Sequence, residues 1–315
     1  MRTTHFKSAA LIALLAIAAQ AQDITQLTLA EQAGVARINE PVRMGIPLAP
    51  GVAKDVGDLA MVDATGKPLP CQFREIAHWA NDGSLRWVHT VFQVSVPANG
   101  KAQVKLVKGK PAQSMSKVEV SEAGGIVTAQ NGVLKLVIKG ANFNLFDSVI
   151  NAGAEVIKPH AEGFVAMIGG NAYRPGADSK ATIEEKGSEG AVIRVNGKLV
   201  AEDDKGPFEF TCYIHMYAGS PVVRVSFSYT NAQGTKPADF VTMEDLSLTL
   251  PTTLAGGKAT VGGEGKNFSG KTAKIIARSS DLSEITADGT PAGAAKGKST
   301  KPLTLGWADL SNGGK

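Results

Sequence analysis

The sequence predicts an all-β protein of two domains, and three observations carry that expectation. Trp79 and Trp87 flank an Asn81-Asp82-Gly83-Ser84 turn, and an alternating strand, Arg86 to Val94, leaves it. Asp-Gly between strand-like runs is a strong hairpin signal, because glycine accepts the positive φ that tight hairpins need. Short strand-like runs recur at close, regular spacing through the rest of the chain. Glycine makes up 35 of the 315 residues and long amphipathic helices are scarce, which favours many short strands joined by turns.

In chain order, the first element is a leader. Arg2 and Lys7 supply a positive start, Ala9 to Ala19 is an apolar run, and Ala19-Gln20-Ala21 is a small-x-small cleavage site. That pattern is a secretory signal peptide over residues 1–21, too short to span a bilayer. Cleavage after Ala21 predicts a secreted or periplasmic protein with no membrane span. Losing Arg2 and Lys7 leaves 31 basic residues against 29 acidic ones. This balance, with no basic stripe interleaved with aromatics, argues against nucleic acid. Cys71 and Cys212 meet an oxidising compartment and either pair or stay as separate buried thiols. Two lone cysteines cannot build a zinc cage.

The mature chain opens with a small β domain over residues 22–112. A proline-punctuated strand spans Ala36 to Leu48, a short one Leu59 to Val62, and a longer one Leu69 to Ala77, before the tryptophan hairpin. Turns at Asp63–Lys67 and Pro97–Gly100 and a strand from Ala102 to Val107 complete the set. The prolines place their strands at edges and rims. Residues 108–116 read as a linker. Beyond it, strands are expected at Lys117–Val120, Ile126–Gln130, Leu134–Ile138, Leu145–Ile150, Phe164–Ile168, Ala191–Leu199, Phe208–Tyr217, Val222–Thr230 and Met243–Leu250. Their spacing suggests a large sandwich over residues 113–315. Lys258 to Lys298 is rich in glycine, alanine and lysine and reads as long loops with one or two weak strands. A last strand at Pro302–Leu310 runs into Ser311-Asn312-Gly313-Gly314-Lys315, where a glycine turn meets no partner strand. Truncation inside a larger protein and an ordinary frayed terminus both fit that ending.

The first domain resembles the N-terminal RIFT-barrel domain of exo-rhamnogalacturonan lyase-like proteins. The residues that carry the resemblance are Glu40-Pro41-Val42, Gly45-Ile46-Pro47-Leu48, Gln72 through Trp79, and Asp82-Gly83-Ser84-Leu85-Arg86-Trp87-Val88. Trp79-Ala80-Asn81-Asp82-Gly83-Ser84 makes a longer hairpin tip than the tryptophan-proline-aspartate-glycine-serine common in the family. The second domain is similar to the family's central β-sandwich through Tyr217-Ala218-Gly219-Ser220-Pro221-Val222-Val223-Arg224-Val225 and Gly306-Trp307-Ala308-Asp309-Leu310. The resemblance implies a small RIFT-type β-barrel followed by a large antiparallel β-sandwich. It also implies a pectic polysaccharide partner. Family members continue into a large α/α toroid that these residues lack, so the family's β-elimination does not transfer, and no catalytic residue is carried over.

Two strands carry candidate chemistry of their own. In Phe208–Tyr217, alternation puts Phe210, Cys212, Ile214 and Met216 on one face and Thr211, Tyr213, His215 and Tyr217 on the other. The first face reads as core. Tyrosines beside a histidine suit sugars, offering apolar faces to C–H groups and polar tips to hydroxyls. A uronate lyase needs a base, an acid and a cation for the carboxylate, so Tyr213, His215 and Arg224 are the catalytic candidates. Tyr217 is a substrate-binding candidate. The bland alternative is a face that packs under a loop or meets solvent. In the hairpin, Trp87 and His89 share a face and form a candidate sugar platform with Trp79. The competing reading pairs the two tryptophans across strands to hold a small barrel together. No His-x-x-x-His pattern occurs, and Asp203-Asp204 and Glu184-Glu185 read as solvated acids rather than calcium ligands. No metal or cofactor is implied.

Two functions compete. In one, the chain is the non-toroid N-terminal portion of an exported polysaccharide lyase-like protein acting on pectic rhamnogalacturonan, with the isolated portion inactive. In the other, it is a stand-alone, non-catalytic carbohydrate-binding or surface module.

Overall fold

In a computed structural model, residues 23–231, 234, 236 and 240–253 are described in full, together with the backbone of strands within 258–311. The chain forms two compact units, Met1–Met115 and Ser116–Lys315. Among the described residues there is no α-helix; one 3-10 turn, Val56–Asp58, is the sole helical element.

The first unit holds seven strands: β1 (Asp23–Ala30), β2 (Arg37–Pro47), β3 (Leu59–Asp63), β4 (Pro68–Leu69), β5 (Cys71–His78), β6 (Leu85–Val96) and β7 (Lys101–Lys108). They form two antiparallel sheets, ordered β1-β7-β3-β4 and β2-β6-β5. Pro41 and Pro47 lie in β2 and Pro68 in β4, all edge strands, where a missing N–H costs no ladder bond. The core is mostly aliphatic: it joins Ile46, Leu59, Met61, Val88, Val104 and Leu106 with one fully buried ring, Phe92, and half-buried Phe73 packs against it. β1 was not expected from sequence. It pairs with β7 from Asp23↔Val107 to Ala30↔Lys101 and half-buries Ile24, Leu27 and Leu29.

The hairpin tip is clasped to the chain that follows β2. Asp82 Oδ1 accepts from the Ser84 N–H and hydroxyl at 2.9 and 2.6 Å. Ser84 Oγ in turn accepts from Gly51 N at 2.9 Å, and Leu85 N donates to Ala53 O at 2.8 Å. Gly83, at φ 68, closes the turn by donating to Trp79 O. The Asp-Gly-Ser motif is thus a set of hydrogen bonds that fixes the tip.

The second unit is a sandwich. Its first sheet runs β12-β11-β10-β9-β8, from β8 (Glu119–Ala123), β9 (Ile126–Gln130), β10 (Leu134–Lys139), β11 (Ser148–Asn151) and β12 (Ala154–Ile157). Its second runs β18-β17-β16-β14-β13-β19, with β15 also on β16. These are β13 (Phe164–Ile168), β14 (Asn171–Pro175), β15 (Lys180–Glu185), β16 (Gly190–Val200), β17 (Phe208–Tyr217), β18 (Val223–Asn231) and β19 (Asp245–Leu248). One core, including Val127, Leu136, Ile138, Ile193, Cys212 and Ile214, is shared by both sheets.

Two expectations change. Leu145 has φ 73, in the left-handed region, and the ladder with β10 begins only at Ser148, so the expected strand at 145–150 shrinks to β11 and residues before it form a loop. Among its described residues, the stretch 258–298 holds five strands rather than one or two. These are β20 (Lys258–Gly263), β21 (Lys266–Gly270), β22 (Ala273–Ala277), β23 (Ser283–Ala287) and β24 (Thr290–Pro291). β20 and β21 pair antiparallel, and β22-β23-β24 form their own sheet, so backbone ladders stand where side-chain alternation was too weak to read. β25 (Trp307–Ser311) pairs with β20. The leader and residues 302–306 lie outside the described residues.

Candidate functional site

In the first unit, the β2-β6-β5 sheet turns Val88, Thr90, Phe92 and Val94 inward and Trp87 outward. Trp87 sits opposite Pro47 and Ala77, and His89 opposite Gly45 and Arg74. A Cβ built on Gly45 would lie 2.5 Å from Trp87 Nε1 and 2.9 Å from Cε2, so the indole lies across the glycine backbone. It keeps 42% of its surface exposed there. Val91 is flanked by Arg43 and Gln72, and Gln93 by Pro41. Around the Trp87–His89 row this face therefore presents Arg43, Arg74, Gln72 and Gln93, and no carboxylate occupies a paired position on it. Sequence reading missed the two arginines and the glycine, which belong to other strands; only the register brings them to the tryptophan.

Trp79 does not pair with Trp87 across the hairpin. Its backbone N–H donates to Ser84 O and its Nε1 to Leu48 O at 2.9 Å, while the Arg86 guanidinium stands 4.9 Å from its ring centroid. Half-buried, Trp79 anchors the clasped tip. The cross-strand tryptophan pair is thus replaced by one anchoring ring and one displayed ring.

In the sandwich, β17 alternates as expected: Phe210, Cys212, Ile214 and Met216 are buried, and Thr211, Tyr213 and His215 are half-buried. His215 lies directly opposite the exposed Arg224 on β18. Tyr213 lies between Ser226 on β18 and Arg194 on β16. Tyr213, His215 and Arg224 thus share one outer face. Arg194, missed in the sequence, completes the row, its Nε 3.2 Å from Glu184 Oε2. A cavity of about 670 Å³ covers the neighbouring part of this face, lined by Arg194, Asn196, Thr211 and Ser228 but not by Tyr213, His215 or Arg224.

Tyr217 departs from the expected open row. It is buried at the strand end, where its carbonyl and that of Ser220 accept 2.6 and 2.7 Å bonds from the buried Asn131 Nδ2. Asn131 Oδ1 accepts from Val133 N and Leu134 N, so this side chain ties the 217–220 turn to the start of β10.

Cys71 and Cys212 form no disulfide and are both buried, each in the core of its own unit. Burial pushes the Cys212 thiol up to about 12, so it stays protonated and inert. Glu184 pairs with Arg194, whereas Glu185 is buried on the other face of β15. Asp203 caps Lys205 N in an exposed turn. Among the described residues, no three His, Cys, Asp or Glu side chains gather as metal ligands would.

Barrel and sandwich together define an all-β protein. Residues 25–108 match the PcRGLX-like N-terminal RIFT barrel domain, and the first unit is that domain. No curated protein matches the chain. Solved structures that it resembles include a glycosyl hydrolase family 38 protein from Enterococcus faecalis, at 13% identity and a TM-score of 0.41 over 67% of this chain and 32% of that one. Another is an alpha-mannosidase from Enterococcus faecalis V583, at 13% identity and a TM-score of 0.42 over 67% of this chain and 31% of that one. The chain thus spans about a third of the length of these proteins.

Proposed function

We propose that this chain is the barrel-and-sandwich portion of an exported polysaccharide lyase-like protein that handles pectic rhamnogalacturonan. In this reading its role is to scaffold and line part of the substrate cleft. The observation that carries the reading is the Trp87 platform in a domain of the rhamnogalacturonan lyase-like type: an indole laid over Gly45 and left 42% exposed, beside His89, Arg43 and Arg74. An exposed ring stacks on the C–H face of a sugar. Arginines beside it suit a uronate carboxylate, which a guanidinium binds in bidentate fashion.

Tyr213, His215 and Arg224 form the secondary element of this proposal. Their common face supplies a phenol, an imidazole and a guanidinium, the groups that proton abstraction beside a carboxylate requires. The leader at residues 1–21 supports export, and the elimination chemistry itself is assigned to a larger assembly of which these units are part.

The test is binding of rhamnogalacturonan oligosaccharides by calorimetry, with product formation followed through the absorbance of unsaturated uronate. Trp87→Ala is expected to weaken binding several-fold, in line with the roughly 0.5–1.5 kcal/mol an aromatic contact adds beyond area burial. The chain alone is expected to release little unsaturated product. Unchanged affinity in a folded Trp87→Ala protein would remove the platform from the reading. Rapid elimination by the chain alone, lost in His215→Ala, would move the active site onto the sandwich face.

A further inference from the structure

The loops before β11 and β13 enclose a second, unrelated polar pocket. It has a volume of about 440 Å³, within the range of small-molecule sites, and its walls include Asn144, Asp147, His160, Glu162 and Arg174. The backbone is forced into place. Asn142 and Leu145 both have positive φ, 50 and 73, and Leu145 is buried. A Cβ on Gly163 would fall 2.6 Å from Asn144 Cα, so only glycine lets the two loops touch there. Held strain of this kind persists where surrounding contacts over-determine it, and it concentrates at ligand sites.

The polar groups inside are fixed, and one is unmet. Asn144, 4% exposed, donates from Nδ2 to His160 O at 2.9 Å. That bond sets the orientation of the amide, because the flipped form would place two oxygens together. Its Oδ1 is buried with no hydrogen-bond partner. A buried acceptor without a donor is costly, and such atoms call for an occupant. His160 Nε2 lies 2.9 Å from Phe146 O, and since a carbonyl only accepts, Nε2 carries the proton. His160 Nδ1 is left facing Glu162 Oε2 at 3.5 Å. Lys139 Nζ lies 2.6 Å from Asp147 Oδ1, an ion pair by distance but off the hydrogen-bonding direction. Arg174 is exposed at the wall and has no partner among the described residues.

These donors and acceptors restrict the ligand. Two cations, Lys139 and Arg174, balance two carboxylates, Asp147 and Glu162, so no net field favours an ion. An anion offers only acceptors and would leave Asn144 Oδ1 unmet; an ammonium offers only donors and would face Arg174. A hydroxyl both donates and accepts, so a polyol can meet Asn144 with one hydroxyl and Arg174 with another. We propose that this pocket binds a neutral sugar unit, with Asn144 Oδ1 accepting one hydroxyl and Arg174 donating to another. The site is independent of the Trp87 platform.

The experiment is titration of the full chain with L-rhamnose, D-galactose and D-mannose, with D-galacturonate as the charged control, read by calorimetry and by the His160 ring resonances in NMR. One neutral sugar is expected to bind in the millimolar range or tighter, to shift the His160 signals, and to outcompete galacturonate. Arg174→Ala, which removes an exposed and unpartnered side chain, is expected to leave thermal unfolding unchanged and to weaken that sugar about tenfold or more, as loss of a hydrogen bond from a charged group does. The proposal is overturned by silence of His160 toward all three sugars, which would leave only water in the pocket. Tighter binding of galacturonate overturns it too, as does a loss in Trp87→Ala that Arg174→Ala does not share.

Discussion

The two units put their aromatic rings to opposite uses. In the sandwich, Phe143, Phe164, Phe210 and Phe227 stack on one another inside, with centroids 4.1 to 5.9 Å apart. In the barrel, the interior is aliphatic around Phe92, while Trp87 lies outside over a glycine and Trp79 bonds the clasped tip. A small barrel is expected to need its largest rings within, since they carry the most burial energy. This barrel fills its core without them and spends Trp87 on its surface. The difference teaches that an aromatic ring is informative where its neighbours let it stay exposed, and that ring count alone says little about recognition.

The largest effect should come from breaking the sandwich side of this contrast. Phe143, 1% exposed, touches Phe164 and Phe210 and is fully enclosed. Phe143→Ala should cost about 3–5 kcal/mol through lost transfer energy and a residual cavity. Chemical denaturation followed by far-UV dichroism checks this. The same truncation at Trp87 should cost far less stability, and equal losses at both positions would erase the distinction between a core ring and a displayed one.

A smaller effect is expected from changing the surface beneath the ring instead of the ring itself. Gly45→Ala places a methyl 2.5 Å from Trp87 Nε1 and must push the indole off its seat. The stability cost should be about 1–3 kcal/mol, the usual range for overpacking. Glycan affinity should fall as far as in Trp87→Ala, although every polar group on the face is retained. Full affinity in Gly45→Ala would show that the seat does not position the platform.

The same contrast explains what could be read beforehand. The Trp79–Trp87 hairpin and the alternation of β17 were legible because each is encoded by contiguous residues with a period of two. β12, β14 and β15 were not, because their strands are short and several of their residues face loops or edges. The pairing of Arg43 and Arg74 with the Trp87 row, or of Arg194 with Tyr213, depends on register between distant strands. Nothing local distinguishes His160 after Pro159; its burial beside Asn144 and Asp147 comes from two loops locked at Gly163, which no local pattern announces.

The smallest effect concerns acid, and it sharpens the contrast from the barrel side. Glu31 accepts backbone hydrogen bonds from Asn99, Ala33, Gly34 and Val35, with the Arg37 guanidinium 3.6 Å away. The Asn99 bond leads in holding its carboxyl below its ordinary value of 4.5. Asp63 is held below 3.8 chiefly by the Thr65 hydroxyl, and Asp82 chiefly by the Ser84 hydroxyl in the hairpin clasp. All three accept bonds that only the folded barrel provides. Because each folded pKa lies below its unfolded one, the stability they add is present above pH 4.5 and is lost as pH falls through the folded values. Tryptophan fluorescence reports on this unit, which holds Trp79 and Trp87 of the three tryptophans. Its melting temperature should hold level above pH 4.5 and decline on further acidification. In Glu31→Gln the first part of that decline should vanish while the part due to Asp63 and Asp82, below pH 3.8, remains. An unaltered profile in Glu31→Gln would mean that the 31–35 turn and the 97–100 turn hold together without the charge.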